Sequence, residues 1–424
     1  MHHFDYRDGI LHAEDVPLPA IAESVGTPTY IYSSATLERH YTVFRDSLGL
    51  KDPHIFYAVK ANGNLGVLMT LARLGAGADT VSEGEIRKAL AAGIPASRIV
   101  FSGVGKTAAE LAFAVEAGIY QVNVESEGEL DLLSQVAAAR GRRQPIVLRV
   151  NPEVGAGGHA KITTGGAANK FGVSFSEAER LYARAANMPG VSVQGLAVHI
   201  GSQILKLDAL EAAFCKLRGI IETLRAQGHG VTRLDLGGGL GIPYQMQAPY
   251  AHGPELLQEY GAMVRAVTEG LDVELGFEPG RLIAGNAGIL LARVLYVNER
   301  ADKRFLVIDA AMNDLVRPAM YDAYHEIWPV KAPAPGIAPV AYDVVGPICE
   351  SGDTFTTDRL LPPMAPGDLL VFKTAGAYGA TMSSNYNQRL LVAEVLVRGG
   401  DLAVTRPRQT WDQLLGQDRA PGWL

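Results

Sequence analysis

Two cysteines in 424 residues are too few for a disulfide framework. Packing, not covalent stapling, must hold this chain. No apolar run approaches the roughly 20 residues a membrane helix needs. The opening Met1-His2-His3-Phe4-Asp5-Tyr6 has no apolar core of the kind a secretory leader carries. Charge is neither abundant nor blocked: charged residues are 20% of the chain, and the net charge of -7 is spread along it. That leaves neither the basic stripe of a nucleic-acid binder nor the polybasic patch of a membrane-surface protein. A soluble protein of the reducing cytoplasm, with no nucleic acid, membrane or metal as partner, is the expectation.

What is present is a long, apolar chain, 48% hydrophobic, of a size for one large barrel plus a second domain. From about residue 55 to 280, short β-type runs alternate with helical ones. The strands expected are Ile55–Lys60, Gly75–Val81, Ile99–Ser102, Gln121–Val124, Ile146–Asn151, Gln194–Ile200, Arg233–Leu236 and Glu274–Glu278. They are apolar on both faces, as buried parallel strands are. The intervening segments carry apolar residues at three- and four-residue spacing, for example Leu210-Phe214-Leu217-Ile221-Leu224. Ser82, Ser126 and Ser176 are expected to cap helices, and Gly93, Gly118 and Gly141 to end them. Eight such strands predict a (β/α)8 TIM-type barrel, with an open doubly wound sheet as the alternative.

Beyond about residue 285 helical periodicity fades. Strand-like runs follow at Ile289–Val297, Arg304–Ile308, Ala341–Val345, Asp368–Lys373 and Leu390–Val397, punctuated by Gly346-Pro347, Pro366-Gly367 and Gly399-Gly400. The expected division is a barrel over 30–282 and a β-rich domain formed by 1–29 with 283–424. The run Thr29–Tyr32 is a further strand that could join the β-rich part.

Active residues of a barrel sit at the C-terminal ends of its strands. The first strand ends at Lys60; burial there disfavours the ammonium and makes the amine nucleophilic, although a salt-bridged strand-end lysine has the same sequence. Asp79, on the second strand, either orients Lys60 or is a solvated loop aspartate. Gly103-Val104-Gly105-Lys106-Thr107 resembles part of a phosphate-binding loop, but Val100 stands where its first glycine belongs, so nucleotide binding is rejected. The sixth strand leads into His199, a candidate to stack on an aromatic cofactor, and Ser202, a candidate phosphate contact. After the seventh comes Gly237-Gly238-Gly239, where barrel phosphate sites fall. The eighth ends in Glu278-Pro279-Gly280-Arg281, a carboxylate for a protonated ring nitrogen and a two-pronged cation for a substrate carboxylate. The β-rich half adds Arg317 with Tyr321, Cys349-Glu350 in a Gly-flanked polar loop, and Tyr378 among small residues.

Taken in order, Tyr57-Ala58-Val59-Lys60, His199-Ile200-Gly201-Ser202, Gly237-Gly238-Gly239, Glu278-Pro279-Gly280-Arg281, Cys349-Glu350-Ser351-Gly352-Asp353 and Tyr378 resemble the alanine-racemase-fold decarboxylases that use pyridoxal 5'-phosphate (PLP). The resemblance covers essentially the whole chain; within the family it points to the branch acting on meso-2,6-diaminopimelate. It implies a PLP barrel, a C-terminal β-domain that receives an N-terminal strand, and a homodimer with shared active sites. It implies that Lys60 carries PLP, that His199 stacks on the ring, and that Glu278 meets the ring nitrogen. Ser202, Gly237, Gly238, Gly239, Gly280 and Arg281 would bind phosphate, with Asp79 beside Lys60. Arg281, Arg317, Tyr321, Glu350 and Tyr378 would hold substrate, Tyr378 touching the cofactor as well. Cys349 would donate a proton, reaching with Glu350 from the partner subunit. The segment Asn151–His159 departs from the family's usual acidic or hydroxyl-rich loop.

The expected reaction is loss of CO2 from meso-diaminopimelate to give L-lysine. The second arginine carries that choice: a retained carboxylate needs a bidentate partner, which ornithine and arginine would not require. A racemase would put a weaker partner than Glu278 on the ring nitrogen. A non-catalytic PLP carrier would not need the β-rich domain, and a cofactor-free lysine aldolase would lack the cofactor's absorbance.

Overall fold

The structure is a computed structural model and describes residues 2–155, 170–245 and 254–423. His159 and most of the loop around it lie outside the described residues. The chain divides into two compact units, one formed by residues 38–243 with 249–283, the other by residues 1–37, 244–248 and 284–424.

The first unit is a closed parallel barrel. Its strands are β1 (His54–Ala58), β2 (Gly77–Thr80), β3 (Ile99–Phe101), β4 (Gln121–Val124), β5 (Gln144–Asn151), β6 (Val191–Ala197), β7 (Arg233–Asp235) and β8 (Glu274–Phe277). Each pairs in parallel with the next, and β8 returns to β1 through Gly276 opposite His54. The open-sheet alternative is thereby excluded. Every residue of β2, β3 and β4 is buried, because the barrel interior covers one face and a helical layer the other.

The helices follow from capping and stripe. Ser82 accepts from Glu85 N and Ser126 from Glu129 N, while Thr107 and Glu110 form a reciprocal capping box. Ser176 does not cap the next helix. That helix runs Phe175–Ala186, Ser174 occupies the N-cap position, and Ser176 falls in the first turn. The longest, Asp208–Ala226, buries Leu210, Ala213, Phe214, Leu217, Ile220, Ile221 and Leu224, a single stripe three or four residues apart.

The second unit is built on a mixed sheet. Its strands lie in the order Thr354–Leu361, Val340–Val345, Arg304–Ile308, Gly288–Glu299, Thr29–Ser33, Ala393–Arg398, Asp401–Arg406. Leu369–Phe372 joins alongside Gly288–Glu299 and pairs with Ile327–Pro329. A small meander, Phe4–Arg7, Ile10–Ala13 and Val16–Pro17, packs Phe4, Leu11 and Ala13 against Ile31, Ile289, Leu291, Val371 and Val395. Thr29–Ser33 is thus a central strand here, antiparallel to one neighbour and parallel to the other. The division expected between residues 29 and 30 cuts through it, and the unit continues to Leu37. The physical reason is pairing: both edges of that strand are hydrogen-bonded into this sheet, and all five of its residues are buried.

Lys106, once a tempting phosphate ligand, is a buried structural cation. Its Nζ donates to Gly103 O at 2.6 Å, to Asn123 O at 2.8 Å and to Glu129 Oε1 at 2.6 Å. Removing it strands a buried carboxylate and two carbonyls. Lys106→Met is expected to lower the unfolding free energy by about 3–5 kcal/mol, read by urea denaturation. A change below about 1 kcal/mol, the range of exposed pairs, would contradict this role.

Candidate active site

The barrel mouth gathers the first group of predicted residues. After β1 the chain turns through a 3-10 segment, Val59–Ala61, which lifts Lys60 to the rim. Its Nζ donates to Asp79 Oδ2 at 2.6 Å, so of the two readings of Asp79 the structure supports pairing. Asp79 is fully buried, and among the described residues its Oδ1 has no hydrogen-bond partner.

Glu278 follows β8 and points into a polar network inside the barrel. Asn123 Nδ2 donates to Glu278 Oε1 and to Ser102 Oγ, each at 3.0 Å. Gln121 Nε2 donates to Asn123 Oδ1 at 2.9 Å and reaches Asp235 Oδ2 at 3.4 Å. Burial pushes the Glu278 carboxyl well above its usual range, with the charges of Asp235 and Asp79 adding to the effect. Asp235 is raised to about 6 by the same burial. With burial raising both and the charge of Asp235 raising Glu278, the two carboxyls titrate as a pair.

His199 extends from β6. Desolvation lowers its pKa well below the usual value, and Arg149 and Lys60 lower it further. Gly238 N donates to its Nδ1 at 3.3 Å, which requires that nitrogen to be unprotonated. The Gly237–Gly239 loop is therefore shaped by more than an anion. Gly237 N donates to Asp235 Oδ1 at 2.9 Å, so two of its N–H groups serve the protein itself. A Cβ at Gly237 would sit 2.1 Å from Val198 O, and one at Gly238 would sit 2.1 Å from Glu278 O. Glycine here permits backbone-on-backbone packing that joins the ends of β6, β7 and β8. Ser202 Oγ accepts from Arg281 Nε at 3.3 Å and Nη2 at 3.1 Å, and Gly280 precedes the short helix Arg281–Ala284.

These residues fit an anionic, nitrogen-containing aromatic cofactor. A positive ring nitrogen at Glu278 would restore that acid to its ionised form, and the buried Asp79 Oδ1 accepts no hydrogen bond from the described residues. Neutral His199 offers a flat face free of charge repulsion.

The second unit holds the remaining residues. Arg317 is buried, its guanidinium carbon 4.5 Å above the Tyr244 ring, and its Nη1 lies 2.9 Å from His325 Nε2. Tyr321 closes the short helix Arg317–Tyr321. Tyr378 adopts a left-handed backbone with φ 56° between glycines 376 and 379. Cys349 and Glu350 are exposed on a loop whose hub is buried Asp353, which accepts from Met312 N and Ile348 N, each at 2.6 Å. Tyr386 OH donates to Glu350 Oε2 at 2.6 Å, and Cys349 N donates to Asn387 Oδ1 at 3.0 Å.

Sequence reasoning missed Asp235, Asn123, Arg149, Tyr244 and His325. Asn123 and Gln121 carried a signal, two polar residues at alternate positions of an otherwise apolar strand, which places both on one face. Arg149 carried a similar one; its Nη1 meets both oxygens of Glu125 at 3.0 Å.

A barrel with a lysine–aspartate pair at its mouth, joined in one chain to a β-rich sheet, is the architecture of alanine-racemase-like PLP enzymes. The family model described as "Pyridoxal-dependent decarboxylase, pyridoxal binding domain" matches residues 34–285. The chain is 46% identical to diaminopimelate decarboxylase of Zymomonas mobilis over 99% of each protein. It is 48% identical to that of Pseudomonas aeruginosa over 97% of each. The solved structure of the Helicobacter pylori diaminopimelate decarboxylase complexed with L-lysine superposes with a TM-score of 0.89 at 37% identity, covering 94% of this chain and 98% of that one. The chain belongs to the PLP-dependent decarboxylases and, within them, to the diaminopimelate decarboxylase family.

The buried carboxyl pair has a pH signature. Because the folded pKa of Asp235 is raised, the stability it contributes is complete below the unfolded value and is lost as pH rises through about 6. In cofactor-free protein, Asp235→Asn is expected to gain stability relative to wild type as pH rises from about 4 to about 7. Denaturation series at both pH values check this, and a pH-independent difference would refute it.

Proposed function

We propose that this protein removes CO2 from meso-2,6-diaminopimelate to give L-lysine, with PLP held at the barrel mouth. The observation that carries this is the ion pair of rim Lys60 with buried Asp79, 2.6 Å apart, in a barrel that also holds a carboxyl, Glu278, raised well above its usual range. Full-length similarity to diaminopimelate decarboxylases supports the substrate.

Lys60 holds the cofactor through Nζ, and Asp79 keeps that amine oriented. Ser202, Gly239, Gly280 and Arg281 are the groups for the phosphate, the N–H groups of Gly237 and Gly238 being engaged by Asp235 and His199. Bound PLP supplies an electron sink for the pair left behind when CO2 departs. Glu278 keeps a proton on the ring nitrogen by an opposite-charge hydrogen bond. Neutral His199 covers the ring without competing for that charge. Arg281, Arg317 and Tyr321 bind substrate carboxylate, and Glu350 takes the distal ammonium. Tyr378 contacts cofactor and substrate. Cys349 Sγ delivers the proton that replaces CO2 on the α-carbon.

Cys349 and Glu350 act in the active site of a second subunit. Their exposure, on a loop pinned by Asp353, supports this, since a residue that serves its neighbour must project from its own chain. A cytoplasmic dimer is the resulting assembly. Among the described residues, no helix is long and apolar enough to cross a membrane.

Lys60→Ala is expected to abolish the visible absorbance of bound cofactor and CO2 release while the circular dichroism stays native. Wild-type protein should turn over meso-diaminopimelate in clear preference to ornithine and arginine; preference for either of those sinks the substrate reading. Lys60→Ala and Cys349→Ala, each inactive alone, should recover about a quarter of wild-type activity after subunit mixing, since half the dimers then carry one intact site. No recovery, with exchange confirmed by mass spectrometry, would mean that each site is built from one chain.

A further inference from the structure

We propose that His325 is a positioning residue, which fixes the Arg317 guanidinium for a substrate carboxylate without neutralising it. This rests on Arg317 being a substrate-binding residue. His325 and Arg317 are both buried, 4% and 6% exposed. Arg317 Nη1 lies 2.9 Å from His325 Nε2, and His325 Nδ1 lies 2.8 Å from the Lys373 carbonyl oxygen. A carbonyl only accepts and a guanidinium only donates. One arrangement of the ring satisfies both contacts, with the proton on Nδ1 and the lone pair on Nε2 facing arginine. His325 is thus an uncharged acceptor.

That choice of partner has consequences. A buried arginine usually meets a carboxylate, and its charge is then spent inside the protein. An uncharged imidazole orients the guanidinium without itself cancelling the positive charge. The surroundings hold the imidazole still. Tyr244 meets His325 edge-on at 5.5 Å, and the same ring lies under Arg317. Arg359 Nη2 donates to His325 O at 3.3 Å and its Nη1 to Tyr324 OH at 2.5 Å. Lys373 N donates to Glu326 O at 2.8 Å, so the carbonyl that anchors His325 continues a paired strand. The short helix Arg317–Tyr321 ends at Asp322 in a left-handed conformation, φ 51°, which turns the chain back and brings position 325 beside position 317.

Two substitutions separate the two ring contacts. The amide of asparagine reaches about as far as Nδ1 and can keep the bond to Lys373. The amide of glutamine reaches about as far as Nε2 and can keep the acceptor for Arg317. His325→Gln is expected to hold KM for meso-diaminopimelate within about three-fold of wild type. His325→Asn should raise KM about ten-fold, the scale of one hydrogen bond to a charged group. In both, kcat should stay within about three-fold and Tm should be similar. The proposal is overturned if asparagine preserves KM and glutamine does not, or if both variants lower kcat and Tm together at unchanged KM. Arg317→Gln separates the two levels. If it leaves KM unchanged, the substrate role of Arg317 fails and this inference with it. If it raises KM while His325→Asn does not, only the inference fails. In the double variant, the loss should not exceed that of Arg317→Gln alone.

Discussion

Three carboxyls, Asp79, Asp235 and Glu278, lie inside one barrel, with Lys60 and Arg149 as the cations whose fields reach Glu278. An apolar interior makes each such charge expensive unless it is paired or protonated. The barrel resolves this locally. Asp79 takes Lys60, and burial raises both Asp235 and Glu278, which titrate together. Asn123 and Gln121 thread amide hydrogen bonds between them. The arrangement leaves an acid prepared to ionise once a cation comes beside it, and an amine held at the rim by a buried anion. Those are the two requirements that a PLP site places on its protein.

The β-rich unit solves a different problem, that of burying an arginine. Its buried arginine leans on an aromatic face and a neutral ring. The loop that carries Cys349 and Glu350 is organised from beneath. Asp353 gathers backbone N–H groups from Met312 and Ile348, so the thiol and the carboxylate above it project outward from a fixed base. A Cβ at Gly346 would lie 2.4 Å from an Asp353 oxygen, which explains the glycine at that bend.

Much of this was legible before any coordinates. All eight barrel strands lie within a few residues of their expected limits, because a buried parallel strand is a short apolar run between turns, and that pattern is local. The Lys60–Asp79 pairing was foreseeable because adjacent strand ends are neighbours in any barrel. What stayed hidden was contact across the interior. Asn123 touches Glu278 over a separation of 155 residues, and nothing periodic announces such a pair. His325 was hidden for the same kind of reason: its partners are a guanidinium in the preceding turn and a carbonyl 48 residues on. Thr354–Leu361 was missed because its Thr-Thr-Asp-Arg centre alternates weakly and only its pairing with Val340–Val345 makes it a strand. The run Thr29–Tyr32, expected as a strand that could join the β-rich part, does so through pairing on both edges.

That strand imposes an order of assembly. Tyr30 pairs with Leu290 on one side and with Glu394 on the other, so the slot for one of the first strands made is completed by one of the last. The barrel strands, by contrast, each find their next neighbour within a few dozen residues, apart from the closing seam. On a ribosome the barrel segment therefore emerges with its own partners, while Thr29–Ser33 waits with one edge uncovered until Gly288–Glu299 is made and the other until Ala393–Arg398 follows. Its burden of tyrosine and isoleucine, favourable once buried, makes that interval the chain's exposure to mispairing.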